Sequence, residues 1–221
     1  MKNIPRIFIG ETVKPGIQIP ASREISHYLT RVMRTDTCLV FGDGNEYNAK
    51  LSDDNKSLII GSKTGHSDPT NNLTLMFAPI KRTDDLINMA TQMGIRAFLP
   101  VITERTNANH INWERMKKIA IEAAEQSNRN TVPKICTPIK FEDLDLKNTV
   151  FADERAAYGH NVTSGAGVIQ SILIGPEGGV SESEFQALDN AGAVGISLGK
   201  TILRAELAAA IAISKVIQHG N

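Results

Sequence analysis

Two loops in the last quarter of the chain hold the residue types that could do chemistry. The first reads Ile172-Leu173-Ile174-Gly175-Pro176-Glu177-Gly178-Gly179. Its three glycines let backbone groups approach a ligand closely, and its proline holds the loop in one shape. Ser181 followed by Glu184 is a capping-box pattern that opens a helix behind it. The second loop, Ser197-Leu198-Gly199-Lys200-Thr201-Ile202-Leu203-Arg204-Ala205-Glu206, also runs from a strand end into a helix. Gly199 permits a bend there. Arg204 at a helix start faces the unfavourable end of the macrodipole, which favours a functional role over a structural one. On spacing alone, the first loop fits a tight turn as well as a ligand site, and Glu177 fits a cap for loop amides as well as a reacting carboxylate.

The elements that would position these loops alternate between strand and helix. From residue 73 onward, strands are expected at 73–78, 97–102, 149–152, 171–174 and 195–198, and helices at 83–93, 113–127, 182–191 and 204–218. That order predicts an α/β domain on a mostly parallel sheet, over 71–221. In such sheets ligands bind beyond the carboxyl ends of the strands, where both loops lie. Residues 1–70 read differently. A strand at 6–9, a helix at 22–34 with Ile25, Leu29 and Val32 on one side, a hairpin of 38–41 and 46–51 around Gly42-Asp43-Gly44-Asn45, and a strand at 57–61 suggest a small β-barrel. The turn-rich stretch 65–72 separates the two.

Composition narrows the function classes. With 221 residues, 41% of them hydrophobic, the chain can bury ordinary cores. No apolar run approaches a membrane span, so no membrane partner and a cytoplasmic location are expected. Cys38 and Cys136 lack a C-x-x-C partner, and the five histidines His27, His66, His110, His160 and His219 lack ligand spacing, so no metal is expected. Net charge is zero, but residues 1–34 hold Lys2, Arg6, Lys14, Arg23, Arg31 and Arg34 against only Glu11 and Glu24. This excess could face phosphate or could be an ordinary solvated face. A Walker phosphate loop, a G-x-G-x-x-G fingerprint after the first strand and a G-x-S-x-G elbow are all missing from the sequence. Triphosphatases, dinucleotide enzymes, Rossmann-type methyltransferases and α/β-hydrolases are correspondingly disfavoured.

The paired motifs Ile174-Gly175-Pro176-Glu177-Gly178-Gly179 and Leu198-Gly199-x-x-Ile202-Leu203-Arg204-x-Glu206 resemble the carboxyl-terminal motifs of SPOUT methyltransferases, specifically the RsmE family. The resemblance extends along the chain. Residues 81–94 resemble the family's first helix, Pro100-x-x-Thr103-Glu104-Arg105-Thr106 its second strand end, and 121–129 followed by Val132-Pro133 its central signature. Pro5-Arg6 and His27-x-Leu29-x-Arg31-Val32-x-Arg34 resemble its PUA-like amino-terminal domain. One departure is visible. Where the family reads R-T-E-T-A, this chain has Ala205 and Leu207 in place of the two threonines.

The resemblance implies a SPOUT domain with a deep trefoil knot, a homodimer, and S-adenosyl-L-methionine (AdoMet) bound between the knot loops. Leu173, Ile174, Gly175, Glu177, Gly178, Gly179, Ser197, Leu198, Gly199, Ile202 and Leu203 would hold the cofactor. The implied reaction is methylation at N3 of uridine 1498 in 16S ribosomal RNA of the small subunit. Arg204 would stabilise the charge that develops on the base, and Glu177 would orient the base or take its proton. Arg6, Arg31 and Arg34 would meet RNA, and Arg105 and Arg129 would meet RNA or brace the site. Two rivals stand beside this reading: a SPOUT enzyme acting on another RNA position or a ribose 2′-hydroxyl, and a non-catalytic rRNA-binding assembly protein.

Overall fold

The computed structural model describes residues 4–10, 12–69, 72–107, 111–160 and 168–219. Lys2 and Glu11 of the basic segment, His110, and Thr70 and Asn71 of the separating stretch lie outside them. The chain divides into two compact units, one of Met1–Thr70 with Ile121–Val132, the other of Asn71–Ala120 with Pro133–Asn221.

The first unit contains β1 (Arg6–Phe8), β2 (Gln18–Pro20), α1 (Arg23–His27), β3 (Thr37–Gly42), β4 (Asn45–Leu51) and β5 (Ser57–Lys63). Its sheet is a half-barrel in the order β1-β3-β4-β5-β2, antiparallel except for the β1–β3 ladder. The β3–β4 hairpin turns on Asp43 and Gly44, both at positive φ, as a two-residue hairpin requires. Ile7, Leu29, Val40, Ala49, Leu58 and Ile60 meet in its core.

The helix expected at 22–34 begins as α1, with Ser22 accepting a bond from the Ile25 amide, and continues as a π-helical stretch, Tyr28–Met33. The wider π turn breaks the 3.6-residue period. Leu29 is fully buried and Ile25 packs against the core as expected, but Val32 is 59% exposed. Arg34 ends the stretch in the left-handed region at φ 52°.

The second unit runs β6 (Thr74–Phe77), α2 (Thr83–Gln92), β7 (Ala97–Ile102), the first half of α3 (Trp113–Gln126), β8 (Lys134–Ile135), β9 (Ile139–Lys140), β10 (Thr149–Ala152), β11 (Ser171–Ile174), α4 (Glu182–Asn190), β12 (Val194–Ile196) and α5 (Ala205–His219). Every ladder is parallel, in the order β12-β10-β11-β6-β7-β8, with β9 also pairing β7. All of β11 and most of β10 are buried, which is why both read as continuous apolar runs. Leaving β11, the chain forms α4 and then pairs as β12 on the far side of β10. The carboxyl ends of β6, β10, β11 and β12 therefore open toward one region of the sheet.

Candidate active site

A cavity of about 400 Å³ lies at these carboxyl ends. Lys81 and Arg82 follow β6, Asp153, Glu154 and Ala157 follow β10, Gly175 to Glu177 with Gly179 and Val180 follow β11, and Leu198, Gly199 and 201–206 follow β12. This is the crevice that a parallel sheet offers where its connections diverge. Its volume falls within the ~300–1,000 Å³ usual for small-molecule sites.

The β11 loop is held from behind. Ser181 and Glu184 form the expected capping box. The buried Glu184 carboxylate accepts from the Ser181 amide at 2.9 Å and from the Glu104 amide at 2.8 Å. Arg105 donates to the Gly178 carbonyl at 3.2 Å. The turn after β7 and the loop after β11 are thereby fastened together, and the resulting loop is tight. A Cβ on Gly175 would lie 2.7 Å from a Val180 methyl. Gly179 is in the left-handed region at φ 77°, and a Cβ there would lie 2.6 Å from Glu154 Oε1. Glycine is favoured at Gly179 by its backbone conformation, and any larger residue would also push the Glu154 carboxylate aside.

The wall after β10 is organised by Arg155. Its guanidinium bonds both oxygens of the buried Asp153, at 2.9 Å each, and both of Asp189, at 2.9 and 3.0 Å. It also lies 4.1 Å from the centroid of the Phe185 ring. The hydrogen bonds that Arg155 donates to Asp189 and Asp153 hold its pKa above the ordinary value, and Arg155 in turn lowers that of Asp189. Asp153 is thus neutralised as a structural anion. Glu206 is similarly matched by Arg82, 3.6 Å away. Four charged groups of the lining have no hydrogen bond or ion pair among the described residues: Lys81, Glu154, Glu177 and Arg204.

Of the expected cofactor residues, Ile174, Gly175, Glu177, Gly179, Leu198, Gly199, Ile202 and Leu203 line the cavity, and Arg204 joins them. Three others are placed elsewhere. Leu173 is in the hydrophobic core, because consecutive strand residues face opposite ways. Gly178 lies against Arg105, and Ser197 accepts from the Gly199 amide at 3.3 Å while its carbonyl receives Lys215 at 2.8 Å. Arg204 is exposed and its carbonyl receives the Ala208 amide at 2.8 Å, so it caps the start of α5. Glu177 is exposed and makes no hydrogen bond to loop amides, which removes its capping reading. Ala205 lines the cavity, whereas Leu207 is 47% exposed.

The expected RNA-facing arginines separate sharply. Arg31 and Arg34 are exposed. Arg6 is not available to RNA: its side chain is 7% exposed, pairs with Glu46 at 2.9 Å, and donates to the carbonyls of Ala124 and Arg129 and to the Asn130 side chain. A buried guanidinium must use its donors internally, and this one does. Arg129 is also buried and donates to Thr131, and burial lowers its pKa. Arg105, exposed, braces the β11 loop through Gly178.

Sequence reasoning missed Lys81, Arg82, Asp153, Glu154 and Ala157. The signal was available, since each follows a buried strand. Applying the carboxyl-end rule to β6 and β10, as well as to the two glycine loops, would have found them.

Comparison with known proteins agrees with this geometry. Residues 66–217 match the RNA methyltransferase domain family. A ribosomal RNA small subunit methyltransferase E from Rickettsia conorii is 34% identical, with 98% of this chain and 96% of the relative covered. The protein of that name from Mesomycoplasma hyopneumoniae is 28% identical over 96% of this chain and 99% of its own. A crystal structure of the Neisseria gonorrhoeae enzyme of that name, bound to S-adenosyl methionine, superposes with a TM-score of 0.80 at 26% identity, covering 98% of each chain. With a relative above three-tenths identity matched over nearly its whole length, the chain belongs to the ribosomal RNA small subunit methyltransferase E family.

Proposed function

We propose that this protein uses AdoMet to methylate N3 of one uridine in 16S ribosomal RNA. The carrying observation is the cavity after β6, β10, β11 and β12, with an unpaired arginine, Arg204, at the start of α5. AdoMet fits the residues present. Ile174, Val180, Leu198, Ile202 and Leu203 supply apolar lining, and the crowding against Gly175 and Gly179 leaves the β11 loop's backbone next to the cavity. When bound, AdoMet supplies an electrophilic sulfonium methyl.

The protein's own part is to bind, orient and stabilise charge. Methylation at N3 needs the imide proton removed, which spreads negative charge onto the neighbouring carbonyl oxygens. The Arg204 guanidinium, without a partner among the described residues, can meet that charge. Glu177, also unpartnered, orients the base or takes the imide proton, which then passes to water.

The reading includes a division of labour in which residues 1–70 act as a PUA-like RNA-binding domain and residues 71–221 as the SPOUT methyltransferase domain. It also includes the deep trefoil knot that the family resemblance implies, at the loops after β11 and β12, which flank β10 in the sheet. A homodimer is supported by Ile202 and Leu207, apolar yet 55% and 47% exposed around the start of α5. Small-subunit particles in the cytoplasm are the proposed setting. Among the described residues no helix is long and apolar enough to cross a membrane, and no group of three ligand-type side chains could hold a metal.

The test is nucleoside mass spectrometry of 16S rRNA from a strain lacking the gene, with and without the purified enzyme and AdoMet. Loss and restoration of 3-methyluridine is expected. Loss of a 2′-O-methyl nucleotide would favour the ribose rival, and an unchanged profile with no AdoMet binding would favour the assembly protein.

A further inference from the structure

The first unit has a recess of its own, of about 330 Å³, whose lining includes Ser22, Arg23, His27, Arg31, Asn55 and Lys56. Arg23, His27 and Arg31 recur every fourth residue along α1 and the π-helical stretch, so they share a face. Lys56 comes from the turn before β5. The recess has built walls. Ser26 donates to the Asn55 carbonyl at 3.0 Å, tying helix to turn, and Thr30 donates to the Ser26 carbonyl at 2.8 Å.

The charges of this lining are all of one sign. The side chains of Arg23, Arg31 and Lys56 make no hydrogen bond or salt bridge among the described residues, and no carboxylate is among the residues lining the recess. The nearby Asp54 is engaged by the Ser52 hydroxyl at 2.6 Å and the Lys56 amide at 3.1 Å, which lowers its pKa. Asp54 and Glu24 attract Lys56 and Arg23 from outside the lining, but no carboxylate is among the lining residues, so an anion seated between these cations would relieve their mutual repulsion. The other exposed cations of the unit, Lys14, Arg34, Lys50 and Lys63, do not line the recess.

We propose that this recess seats a stretch of RNA phosphodiester backbone, with Arg23, Arg31 and Lys56 each meeting a phosphate oxygen and Ser22 and Asn55 adding neutral hydrogen bonds. It rests on the reading that RNA is the substrate, and it assigns the contact to one recess rather than to the basic segment at large. Arginine forks and a lysine point charge suit phosphate oxygens. Such contacts fix the position of the RNA and leave sequence to be read elsewhere.

The experiment measures binding of the full-length protein to a transcript of 16S rRNA across a salt series. The triple variant Arg23→Gln, Arg31→Gln, Lys56→Gln is compared with Lys14→Gln, Arg34→Gln. The triple variant is expected to lose about tenfold or more in affinity at moderate salt. Its plot of log affinity against log salt should flatten, by roughly 0.7 to 0.9 for each phosphate that is no longer neutralised. AdoMet affinity should be unchanged, and RNA KM should rise with kcat retained. The control variant should stay within about twofold of wild type. Equal weakening by both variants would overturn the proposal in favour of diffuse attraction. Unchanged RNA affinity in the triple variant overturns it too, and if binding to whole small-subunit particles falls instead, the partner is a ribosomal protein. Failure of the wild type to bind or methylate the transcript or the particles would sink the substrate reading itself, and the recess proposal with it.

Discussion

Arg6 in the first unit and Arg204 in the second are both arginines beside chain segments that resemble family motifs, yet their surroundings are opposite. Arg6 is shielded from water, stacks 4.4 Å from the Phe41 ring centroid, and directs its donors to Glu46, three backbone carbonyls and Asn130. The surrounding groups are saturated as well: Glu46 also accepts from Thr64, and Asp68 accepts from the amides of Asn130 and Thr131. Around Arg204 the reverse holds. Asp153 and Glu206 are matched by Arg155 and Arg82, while Lys81, Glu154, Glu177 and Arg204 are left unmatched at the cavity. Charges neutralised inside the protein hold structure, and charges left over at a cavity are available to a ligand.

The largest effect expected from breaking this contrast is on stability. Arg6→Ala leaves Glu46, whose side chain is 3% exposed, without its cation. Removing one partner of a buried pair costs about 3–5 kcal/mol. Denaturant unfolding of the variant should show that loss in the transition of the first unit. A loss below about 1 kcal/mol would mean that Glu46 relaxes to solvent and that the network is less closed than its hydrogen bonds imply.

Arg204→Ala should do the opposite, sparing stability and lowering rate. If its guanidinium meets charge that appears only during transfer, single-turnover methylation should fall about 100-fold, or roughly 3 kcal/mol, with AdoMet affinity nearly intact. Arg204→Lys should recover part, because a lysine lacks the planar fork. Wild-type turnover in the alanine variant would remove Arg204 from the mechanism.

A smaller effect is expected at the unmatched Glu154. Gly179→Ala combines a left-handed backbone with a Cβ that must displace the Glu154 carboxylate, whereas Gly192→Ala has a similar φ of 72° and open space. Both carry strain of about 1–2 kcal/mol. Only Gly179→Ala should also weaken AdoMet, by about tenfold in a calorimetric titration. If the two variants bind AdoMet alike, the Glu154 contact does not shape the cavity.

Much of the fold was legible because the signals are local. The 97–102, 149–152 and 171–174 strands coincide with β7, β10 and β11, and the hairpin turn at Asp43-Gly44 is where turn chemistry places it. Three strands went unread: β2, β8 and β9 are two or three residues long, too short for any period, and exist through their partners β5 and β7. The strand expected at 195–198 ends at Ile196 because Ser197 bonds forward to the Gly199 amide. At the site, the glycine loops were legible because close approach demands glycine, but Lys81 and Glu154 carry no local signature. Arg6 was misread because a charge near a chain's beginning looks solvated until β1 is known to pair with β3 and 121–132 to pack in the same unit.

The smallest expected effect sharpens the contrast inside the saturated network. Glu125 accepts from the Phe8 amide at 3.0 Å, yet its pKa is raised, first by burial, then by repulsion from Glu122, against the opposing pull of that hydrogen bond and of Arg6. A carboxyl whose folded pKa exceeds its unfolded value binds more protons when folded. Stability therefore falls as pH rises from the ordinary carboxylate range, about 4.3, through the raised folded value, and above that the penalty is fully present. Glu125→Gln keeps an oxygen for the Phe8 amide and removes the charge. The variant should unfold at slightly higher temperature than wild type near neutral pH, and the difference should vanish once the wild-type carboxyl is protonated in both states. Paired thermal melts at neutral and acid pH measure it. A less stable glutamine variant at neutral pH would show that attraction to Arg6 outweighs burial, making Glu125 a second anion of the Arg6 cluster.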